Sequence, residues 1–441
     1  MLEDSALFRY NEARNGGRKM QSFFLKGTFL DAPVCGEIRT REGFLLIKEG
    51  QFGKFYDAVP TVMYDLPVYD YSGKLILPGM TDLHLHAPQY CYAGMAMDLE
   101  LLDWLQNYTY PEEARYKDPA YAKKGYSFFV RDLVSGPATR AVIFATLHTD
   151  ATLVLMDQLE EAGFPAYAGK LAMNRNSPDY YREPTTEYAI KETLRWIDEA
   201  AKRNYRFVKP ILTPRFTPSV TDDYMAGLGE IAREYHLPMQ SHLSENTDEI
   251  RWVAELCPDT DYYAESYAKH GLFGGDVPTV MAHCIYCPEE ENALIHRNGV
   301  MIAHCPTSNE NVIAGICPAA GYLRNGYHIG IGSDVAGGNT LNLFEVVKAA
   351  VQVSKLRWKY VDNAVEPLTL AEAFYMATAG GGQFFGKVGI LEEGYDADAI
   401  VVDDAELLNH LNFTPAQRLE RYSYIGNGKV FAKFILGNKI I

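Results

Sequence analysis

Residues 74–90 read KLILPGMTDLHLHAPQY and contain the pattern that decides the fold. A first apolar run ends in a Pro-Gly pair, and the run that follows carries His84 and His86 two positions apart. Side chains alternate faces along a strand, so both imidazoles point the same way and can bind one metal ion together. Two hydrogen-bonded histidines at a strand end would give the same pattern, and the metal interpretation therefore needs further ligands.

Three more candidates stand at the ends of later strand-like runs. His242 follows LPMQS, His283 follows TVMA, and Asp334 follows GIGS. A hydrolytic metal centre uses neutral imidazoles and a carboxylate, and it leaves one coordination position open for water. The recurrence of suitable side chains at strand ends favours a metal site.

The middle of the chain alternates between the two kinds of regular structure. Residues 141–146 form a strand-like run, and residues 152–163 show helical spacing that ends at Gly163. Helical patterns return in residues 188–205, 224–236 and 341–355. This alternation predicts an α/β fold with a parallel sheet, closed into a TIM-type (β/α)8 barrel over residues 76–385. Its reactive face lies at the carboxyl ends of the strands, where the histidines stand.

Both chain ends carry a different pattern, of short apolar runs separated by Gly, Pro and Asp. They predict short antiparallel strands in residues 1–75 and 386–441. In the simplest assembly, these two parts pair into one small β-domain beside the barrel.

Composition limits the classes of function. A chain of 441 residues with 47% hydrophobic content can bury a large core, while a net charge of −16 argues against nucleic acid or an anionic membrane as partner. The first residues, MLED, carry no basic segment before an apolar run, and the seven cysteines are odd in number and scattered. We therefore expect a cytoplasmic protein with reduced thiols. Cys284 and Cys287 lack the second pair that a structural zinc site requires.

The order His-x-His, His, His and Asp at strand ends resembles the amidohydrolase superfamily of metal-dependent barrel hydrolases, over about residues 70–400. Within that superfamily, five motifs resemble those of guanine deaminases. They are HAPQY at 86–90, TPRF at 213–216, HLSE at 242–245, HCPTSN at 304–309 and GSD at 332–334.

The resemblance implies one zinc ion per chain, with Fe²⁺ as the alternative metal, and a homodimer. The implied metal ligands are His84, His86, His242 and Asp334. It also implies that the two chain ends form a β-sandwich. Binuclear members bridge two metals with a carboxylated lysine at the end of the fourth strand. Here Arg215 occupies that end, so Lys209 is interpreted as a lysine on the other face of the strand or near its base. Lys170 receives the same interpretation.

The implied reaction is the hydrolytic deamination of guanine to xanthine and ammonia, a step of purine catabolism or salvage. Metal hydroxide attacks C2, and Glu245 takes the proton of the nucleophile and delivers it to N3. His283 hydrogen-bonds the hydroxide and stabilises the tetrahedral intermediate, and Asp334 orients the attack. From the sequence alone, the alternative explanation of Glu245 is an N-cap or first-turn acid of the next helix.

Guanine presents O6 and N7 as adjacent acceptors, an edge that Arg215 and Gln89 can hold, while Phe216 offers a face for stacking. Without the resemblance, Arg215 and Phe216 would be explained as a surface arginine and a core phenylalanine. The full set of predicted substrate contacts is His86, Gln89, Arg215, Phe216, His242, Glu245 and Asp334. His304 is expected to support the pocket floor, and His148 at most to line the pocket.

Two alternative functions stay open at this point. The first is an aminohydrolase or halohydrolase that acts on another purine, a pterin or a triazine. The second, of a different class, is a metal-free scaffold protein, which should have lost its metal ligands. The other zinc deaminase architecture is excluded because the sequence holds no H-x-E and no P-C-x-x-C motif. Residues 93–109, rich in Tyr, Met and Leu, are either a lid or an ordinary helix start.

Overall fold

The structure, a computed structural model, describes residues 22–441. The first 21 residues of the predicted N-terminal segment, including the MLED start, lie outside the described residues. The strands are β1 Phe23–Asp31, β2 Arg39–Lys48, β3 Gln51–Tyr56, β4 Val68–Pro78, β5 Met80–His86, β6 Ala138–Phe144, β7 Ala166–Gly169, β8 Leu171–Ala172, β9 Val208–Pro210, β10 Thr213–Pro214, β11 Met239–Leu243, β12 Thr279–His283, β13 Met301–His304, β14 Ile329–Ile331, β15 Ala399–Val402, β16 Ala432–Ile435 and β17 Asn438–Lys439.

The α-helices are Leu101–Trp104, Tyr110–Arg115, Pro119–Ser135, Thr149–Glu161, Thr186–Arg203, Asp222–Tyr235, Thr247–Leu256, Glu265–Ala268, Glu289–Arg297, Pro306–Asn311, Ala319–Arg324, Leu343–Tyr360, Leu370–Tyr375 and Pro415–Ile425. Short 3-10 turns include Ala87–Tyr92 and Asp179–Tyr181, and a wider π turn spans Leu105–Thr109. The helical runs predicted at 152–163, 188–205, 224–236 and 341–355 match helices whose bounds differ by a few residues.

The middle of the chain forms a closed ring of parallel strands. Strands β5, β6, β7 and β9 form one four-stranded sheet, and β11 to β14 form another. The third and fourth positions of the ring are extended by β8 and β10, which pair with each other. This arrangement confirms the predicted α/β architecture with parallel strands of the TIM-barrel type.

Backbone hydrogen bonds close the ring at its two seams. At one seam, Leu212 N donates to Pro238 O at 2.9 Å, and Gln240 N donates to Leu212 O at 2.9 Å. At the other, Asp334 N donates to His84 O at 2.8 Å. The second seam therefore places two predicted metal ligands on neighbouring chain segments.

The two chain ends meet in one seven-stranded sheet of order β17-β16-β15-β4-β1-β2-β3. β4 comes from the N-terminal part and pairs antiparallel with β15 from the C-terminal part, with Ile76 opposite Val401. One side of the sheet contributes side chains such as Phe29 and Phe434 to an apolar cluster of its own, and the other contributes Leu77 and Ile400 to the large barrel core. The joint β-domain is present, and its description as a two-layer sandwich stays a prediction.

The C-terminal part is less purely β than its sequence pattern indicated. The helix Pro415–Ile425 separates β15 from β16, and its first turn has a capping box between Thr414 and Gln417. The buried face of this helix includes Leu419 and Tyr422, and the Tyr422 ring lies 5.0 Å from that of Phe344 on a barrel helix. The helix thus fastens the small domain to the outside of the barrel.

All seven cysteines are free thiols, as the odd and scattered pattern predicted. Within residues 22–441, no helix combines the length and the apolar character needed to cross a membrane.

Candidate metal centre and adjoining pocket

Six of the predicted site residues converge at the carboxyl end of the barrel. His84 and His86 lie on β5, and His242 is the last residue but one of β11. His283 is the last residue of β12, and Asp334 follows β14. Glu245 stands two residues after β11. All six side chains are at most 9% exposed. The barrel topology therefore brings together residues that are up to 250 positions apart in sequence.

The two histidines of the His-x-His pair face the same centre. Nε2 of His84 lies 3.2 Å from Oδ1 of Asp334, and Nε2 of His86 lies 3.3 Å from the same oxygen. Nε2 of His242 lies 3.4 Å from Nε2 of His86. Three imidazole nitrogens and one carboxylate oxygen are thus linked by short contacts, and a set of this kind can hold a divalent metal ion.

The electrostatics suit a cation. Burial lowers the pKa of the His86 imidazole, and burial next to the other ring nitrogens places the pKa of His242 well below its ordinary value. Burial alone would raise the pKa of Asp334, but the contacts with His84 and His86 outweigh it and hold the carboxyl well below its usual range. Neutral imidazoles facing an ionised carboxylate leave lone pairs for a metal ion. In keeping with this, the buried Nε2 of His84 has no hydrogen-bond partner among the described residues.

Local backbone geometry aims the side chains. His283 and Asp334 have positive φ angles of 75° and 46°, a conformation that is uncommon for residues other than glycine and concentrates at functional sites. Gly332 allows the close approach of the chain to β5, since a Cβ atom there would lie 2.9 Å from the Cβ of His84. The Gly-Ser-Asp motif therefore has a steric reason for its glycine.

Asp82 supports the centre from behind. Its Oδ1 accepts hydrogen bonds from Ser333 N at 2.9 Å and from His84 N at 3.3 Å. Burial raises the pKa of this carboxyl to about 6. The residue joins the two chain segments that carry His84 and Asp334, and the two-residue spacing from Asp82 to His84 could have revealed it in the sequence.

Glu245 and His283 face each other beside the centre. Nε2 of His283 lies 3.5 Å from Oε2 of Glu245 and 3.7 Å from Oδ2 of Asp334. Burial lowers the pKa of His283 to about 4, and its Nδ1 lies 2.8 Å from Oδ1 of Asn309. A neutral ring that donates Nδ1–H to Asn309 presents Nε2 as an acceptor. His283 also lies within reach of the donor group around His84, as does Cys305.

Glu245 sits in a run of buried acids. Burial, followed by the charge of Glu249, holds the pKa of Glu245 well above its ordinary value. Burial likewise raises the pKa of Glu249 to about 7. Glu249 accepts from the backbone N of Glu245 at 3.1 Å and forms a capping box with Asn246, so the acids in the first turn of this helix are Asp248 and Glu249. Glu245 precedes the helix and points to the centre.

A pocket adjoins the centre. All seven predicted substrate contacts line it. The complete lining is His86, Gln89, Leu101, Trp104, Leu105, Arg215, Phe216, His242, Glu245, Glu249, His283, Ser308, Val312, Asp334 and Gly337. Leu101, Trp104 and Leu105 belong to the segment 93–109, which is helical from Leu101 onward and forms an apolar wall of the pocket.

Arg215 and Gln89 meet through a residue that sequence reasoning missed. Nη1 of Arg215 donates to Oε2 of Glu113 at 2.7 Å, and Nε2 of Gln89 donates to Oε1 of the same carboxylate at 2.7 Å. Glu113 lies on a separate helix, and no motif or spacing in the sequence singles it out. Phe216 is buried at the pocket wall, and its ring lies 6.0 Å from that of Trp252.

The remaining candidates lie outside the donor group. His304 is buried at the end of β13, and its two ring nitrogens have no hydrogen-bond partner within the described part of the chain. His148 packs 5.8 Å from the ring of Tyr181, behind Glu113 and away from the pocket lining. Cys284 and Cys287 belong to none of the groups of metal-binding side chains found among residues 22–441.

Comparison with known proteins agrees with this architecture. The model of the amidohydrolase family matches residues 75–438. The guanine deaminase of Rattus norvegicus is 40% identical over 335 residues, which cover 75% of this chain and 73% of that protein. The guanine deaminase of Escherichia coli is 33% identical over 431 residues, which cover 94% of each chain.

Among solved structures, guanine deaminase from C. acetobutylicum with guanine bound in its active site superposes with a TM-score of 0.92 at 42% identity. The match covers 96% of this chain and 100% of that one. These matches confirm the resemblance that the sequence motifs indicated. The chain belongs to the amidohydrolase family and, within it, to the guanine deaminases.

Proposed function

We propose that this chain catalyses the hydrolytic deamination of guanine to xanthine and ammonia at a single divalent metal ion. The observation that carries the proposal is one pocket that is lined by His86, His242 and Asp334 of the donor group and also by the hydrogen-bond donors Arg215 and Gln89. Family membership supports the same reaction.

The four donors His84, His86, His242 and Asp334 fit a divalent ion because they are buried, mutually close and left with lone pairs. We propose zinc, which accepts this donor set, with Fe²⁺ as the alternative. When bound, such an ion lowers the pKa of a water to about 7 and so supplies a hydroxide nucleophile at neutral pH.

One ion per chain is supported by where the two candidate bridging lysines lie. Lys209 pairs in register with Tyr167, two residues before the end of β7, and its ammonium lies 5.9 Å from the Tyr167 ring centroid. Lys170 is buried in an ion pair with Glu183 at 2.6 Å. At the carboxyl end of the fourth strand position, where a bridging lysine would have to lie, the chain carries Arg215.

The substrate-binding role of the pocket follows from its polarity. Arg215 and the Nε2 group of Gln89 donate hydrogen bonds, and guanine offers the adjacent acceptors O6 and N7. When this edge is bound, C2 and its amine are free to face the centre. Phe216 provides a ring face for the purine. His86, His242, Glu245 and Asp334 complete the proposed substrate contacts at the reacting end of the pocket.

Glu245 has the position and the pKa of a proton carrier. Its carboxylate lies beside the donor group without belonging to it, and burial favours its protonated form. In the proposed reaction Glu245 takes a proton from the attacking water and gives it to N3 as the C2–O bond forms. The remaining proton of the oxygen bonded to C2 then passes to the C2 amine, so that the C2–N bond breaks, ammonia leaves and the C2 oxo group of xanthine remains.

His283 and Asp334 orient the nucleophile in this scheme. The acceptor Nε2 of His283 and the Oδ2 oxygen of Asp334 are 3.7 Å apart, so a water between them can be held by hydrogen bonds to both. Once His283 is protonated, the same nitrogen can donate to the negative charge that develops on the attacking oxygen.

We propose a homodimer in the cytoplasm, with guanine as the small-molecule partner, as family membership suggests. The two-layer sandwich is supported by Phe52 on edge strand β3 and Phe434 on β16, which share one apolar cluster. We also propose a division of the chain at residues 75/76 and 385/386, of which the first lies three residues before the end of β4 at Pro78 and the second precedes the start of β15 at Ala399.

The test of the substrate is ammonia release by the purified protein from guanine, adenine, cytosine and a pterin. We expect turnover of guanine above the other rings, and we expect Arg215→Ala to abolish it. The variant Arg206→Ala is the matched control, because Arg206 lies outside the pocket. If Arg215→Ala lost turnover equally on all rings, the substitution would have damaged the protein in general and not only its recognition of guanine. If the protein binds metal but does not turn over guanine, another ring is favoured as the substrate. If it binds no metal and acts on no ring, the scaffold protein is favoured.

A further inference from the structure

Glu113 is a buried carboxylate that accepts hydrogen bonds from three other segments of the chain. It lies on the helix Tyr110–Arg115, and its side chain has no exposed surface. Its Oε1 accepts from Gln89, while its Oε2 accepts from Arg215 at 2.7 Å and from the hydroxyl of Tyr181 at 2.8 Å. Two of its three donors are the pocket residues proposed to recognise the purine.

The contacts of Gln89 fix which way its amide points. Nε2 donates to Glu113 at 2.7 Å, and Oε1 accepts from the backbone N of Ala336 at 3.2 Å. A carboxylate can only accept and a backbone N–H can only donate, so turning the amide over would break both bonds. One lone pair of the carbonyl oxygen is therefore engaged with the backbone, and the second N–H of Nε2 is the donor that Gln89 offers a ligand.

Arg215 is fixed in a comparable way. The guanidinium is 3% exposed, donates one N–H to Glu113 and lies 5.2 Å from the ring centroid of Tyr110. Because a guanidinium has only donors, its remaining N–H groups add to the one from Gln89. The side of the pocket formed by Gln89 and Arg215 consequently presents N–H donors next to each other, and a ligand edge that matches them carries two acceptors.

We propose that Glu113 is a positioning residue that sets the purine specificity of this pocket. By holding Gln89 and Arg215 as donors, it selects a purine with an oxo group at C6 and rejects one with an amine there, since an amine would place N–H against N–H. This inference rests on the proposed function and adds the cause of its substrate choice. An ion pair that served stability alone would leave this choice untouched.

The test compares three purines that share the amine at C2 and differ at C6, with guanine alone also carrying a proton on N1. These are guanine with an oxo group, 2-aminopurine with hydrogen, and 2,6-diaminopurine with an amine. In Glu113→Gln, the new amide can donate as well as accept, so Gln89 is free to turn over. We expect kcat/KM for guanine to fall about 10- to 100-fold, as for a lost hydrogen bond to a charged group, chiefly through KM. The preference for guanine over 2,6-diaminopurine should fall by about tenfold or more, while 2-aminopurine should change little.

Each analogue is also measured as a competitive inhibitor of guanine turnover, so that an analogue that is not hydrolysed still reports its affinity. The matched control is Glu183→Gln, which removes a buried, ion-paired carboxylate outside the pocket. Thermal unfolding of both variants reports on folding. The control should lose stability and keep the preference for guanine.

If Glu113→Gln does not fold, Gln89→Leu tests the same relationship, because it removes the N–H that Glu113 orients. A folded variant with an unchanged ratio between guanine and 2,6-diaminopurine would overturn the inference and leave the proposed function standing. Wild-type protein that neither binds nor hydrolyses guanine would overturn the proposed function and the inference together.

Discussion

Nε2 of His283 lies 3.5 Å from Oε2 of Glu245, and both side chains are buried at the carboxyl end of the barrel. The histidine is neutral at neutral pH because burial lowers its pKa to about 4, whereas burial raises the pKa of the glutamate. The two groups therefore differ in what they offer the reaction. His283 offers an acceptor that orients water, and Glu245 offers a site that binds and releases a proton.

The substitution Glu245→Gln should remove the proton carrier and keep the shape of the pocket. We expect kcat to fall by about 10²- to 10⁴-fold, the usual contribution of a positioned acid or base, with KM and metal content little changed. Steady-state kinetics and elemental analysis measure the three quantities. Glu255→Gln, an exposed substitution on the neighbouring helix Thr247–Leu256, is the control. If kcat of the variant stayed within tenfold of the wild-type value, Glu245 would not be the proton carrier.

Asn309 should matter through His283 alone, because its Oδ1 lies 2.8 Å from Nδ1 of that ring. Asn309→Ala leaves the imidazole without the partner that fixes its orientation and tautomer. A loss of about 10- to 100-fold in kcat is expected, as for other residues that orient a site histidine. The exposed Asn325→Ala serves as the control. Rescue of activity by Asn309→Asp, which keeps the accepting oxygen, would support the orienting role, and full activity of Asn309→Ala would exclude it.

Two buried histidines at strand ends allow a matched test of the ligand set. His84 lies 3.2 Å from Asp334 in the donor group, whereas His304 ends β13 outside that group. After dialysis against a weak chelator, His84→Asn should lose its metal and His304→Asn should retain it, because only the first removes a donor. Metal content per chain is measured by elemental analysis. Equal retention by both variants would contradict the proposed ligands.

Because Lys433 is buried, we expect the free energy of unfolding to depend on pH, independently of the metal centre and its pocket. Burial lowers its pKa from 10.5 to about 7, and its ammonium nitrogen donates to the carbonyl oxygens of Val134 at 2.5 Å and Ala138 at 2.8 Å. Between these two pKa values the unfolded chain binds one proton more than the folded chain, so the free energy of unfolding rises with pH.

The variant Lys433→Met isolates this effect. Each pKa unit corresponds to about 1.4 kcal/mol, so wild type should gain about 3 kcal/mol relative to the variant between pH 6.5 and pH 9.5. Urea unfolding at the two pH values measures the difference. A wild-type advantage that stays constant or shrinks as pH rises would show that Lys433 is protonated throughout the window.

The sequence predicted those parts of the site that obey a spacing rule. His84 and His86 share a strand face because side chains alternate, and His242, His283 and Asp334 could be placed because parallel strands bring their carboxyl ends to one edge. Glu113 obeys no such rule. It reaches Arg215 across 102 positions through packing of the segment after β5, and only the folded chain shows the contact.

The small domain shows a similar limit. Short strands could be predicted at both ends of the chain, but the pairing of Ile76 with Val401 is a contact between distant segments that no local pattern specifies. The helix Pro415–Ile425 could not be predicted from its own sequence because it has few apolar positions and stands between β-rich runs. Tertiary packing of Leu419 and Tyr422 stabilises it. Local rules thus predicted elements, and long-range packing decided how they were joined.

The most direct measurement titrates zinc into chelator-treated protein while xanthine formation from guanine is followed. The account predicts no turnover without metal, a linear rise with added zinc, and a plateau at about one equivalent per chain, since one donor group surrounds one centre. Turnover without metal, or a plateau only at two equivalents, would contradict it.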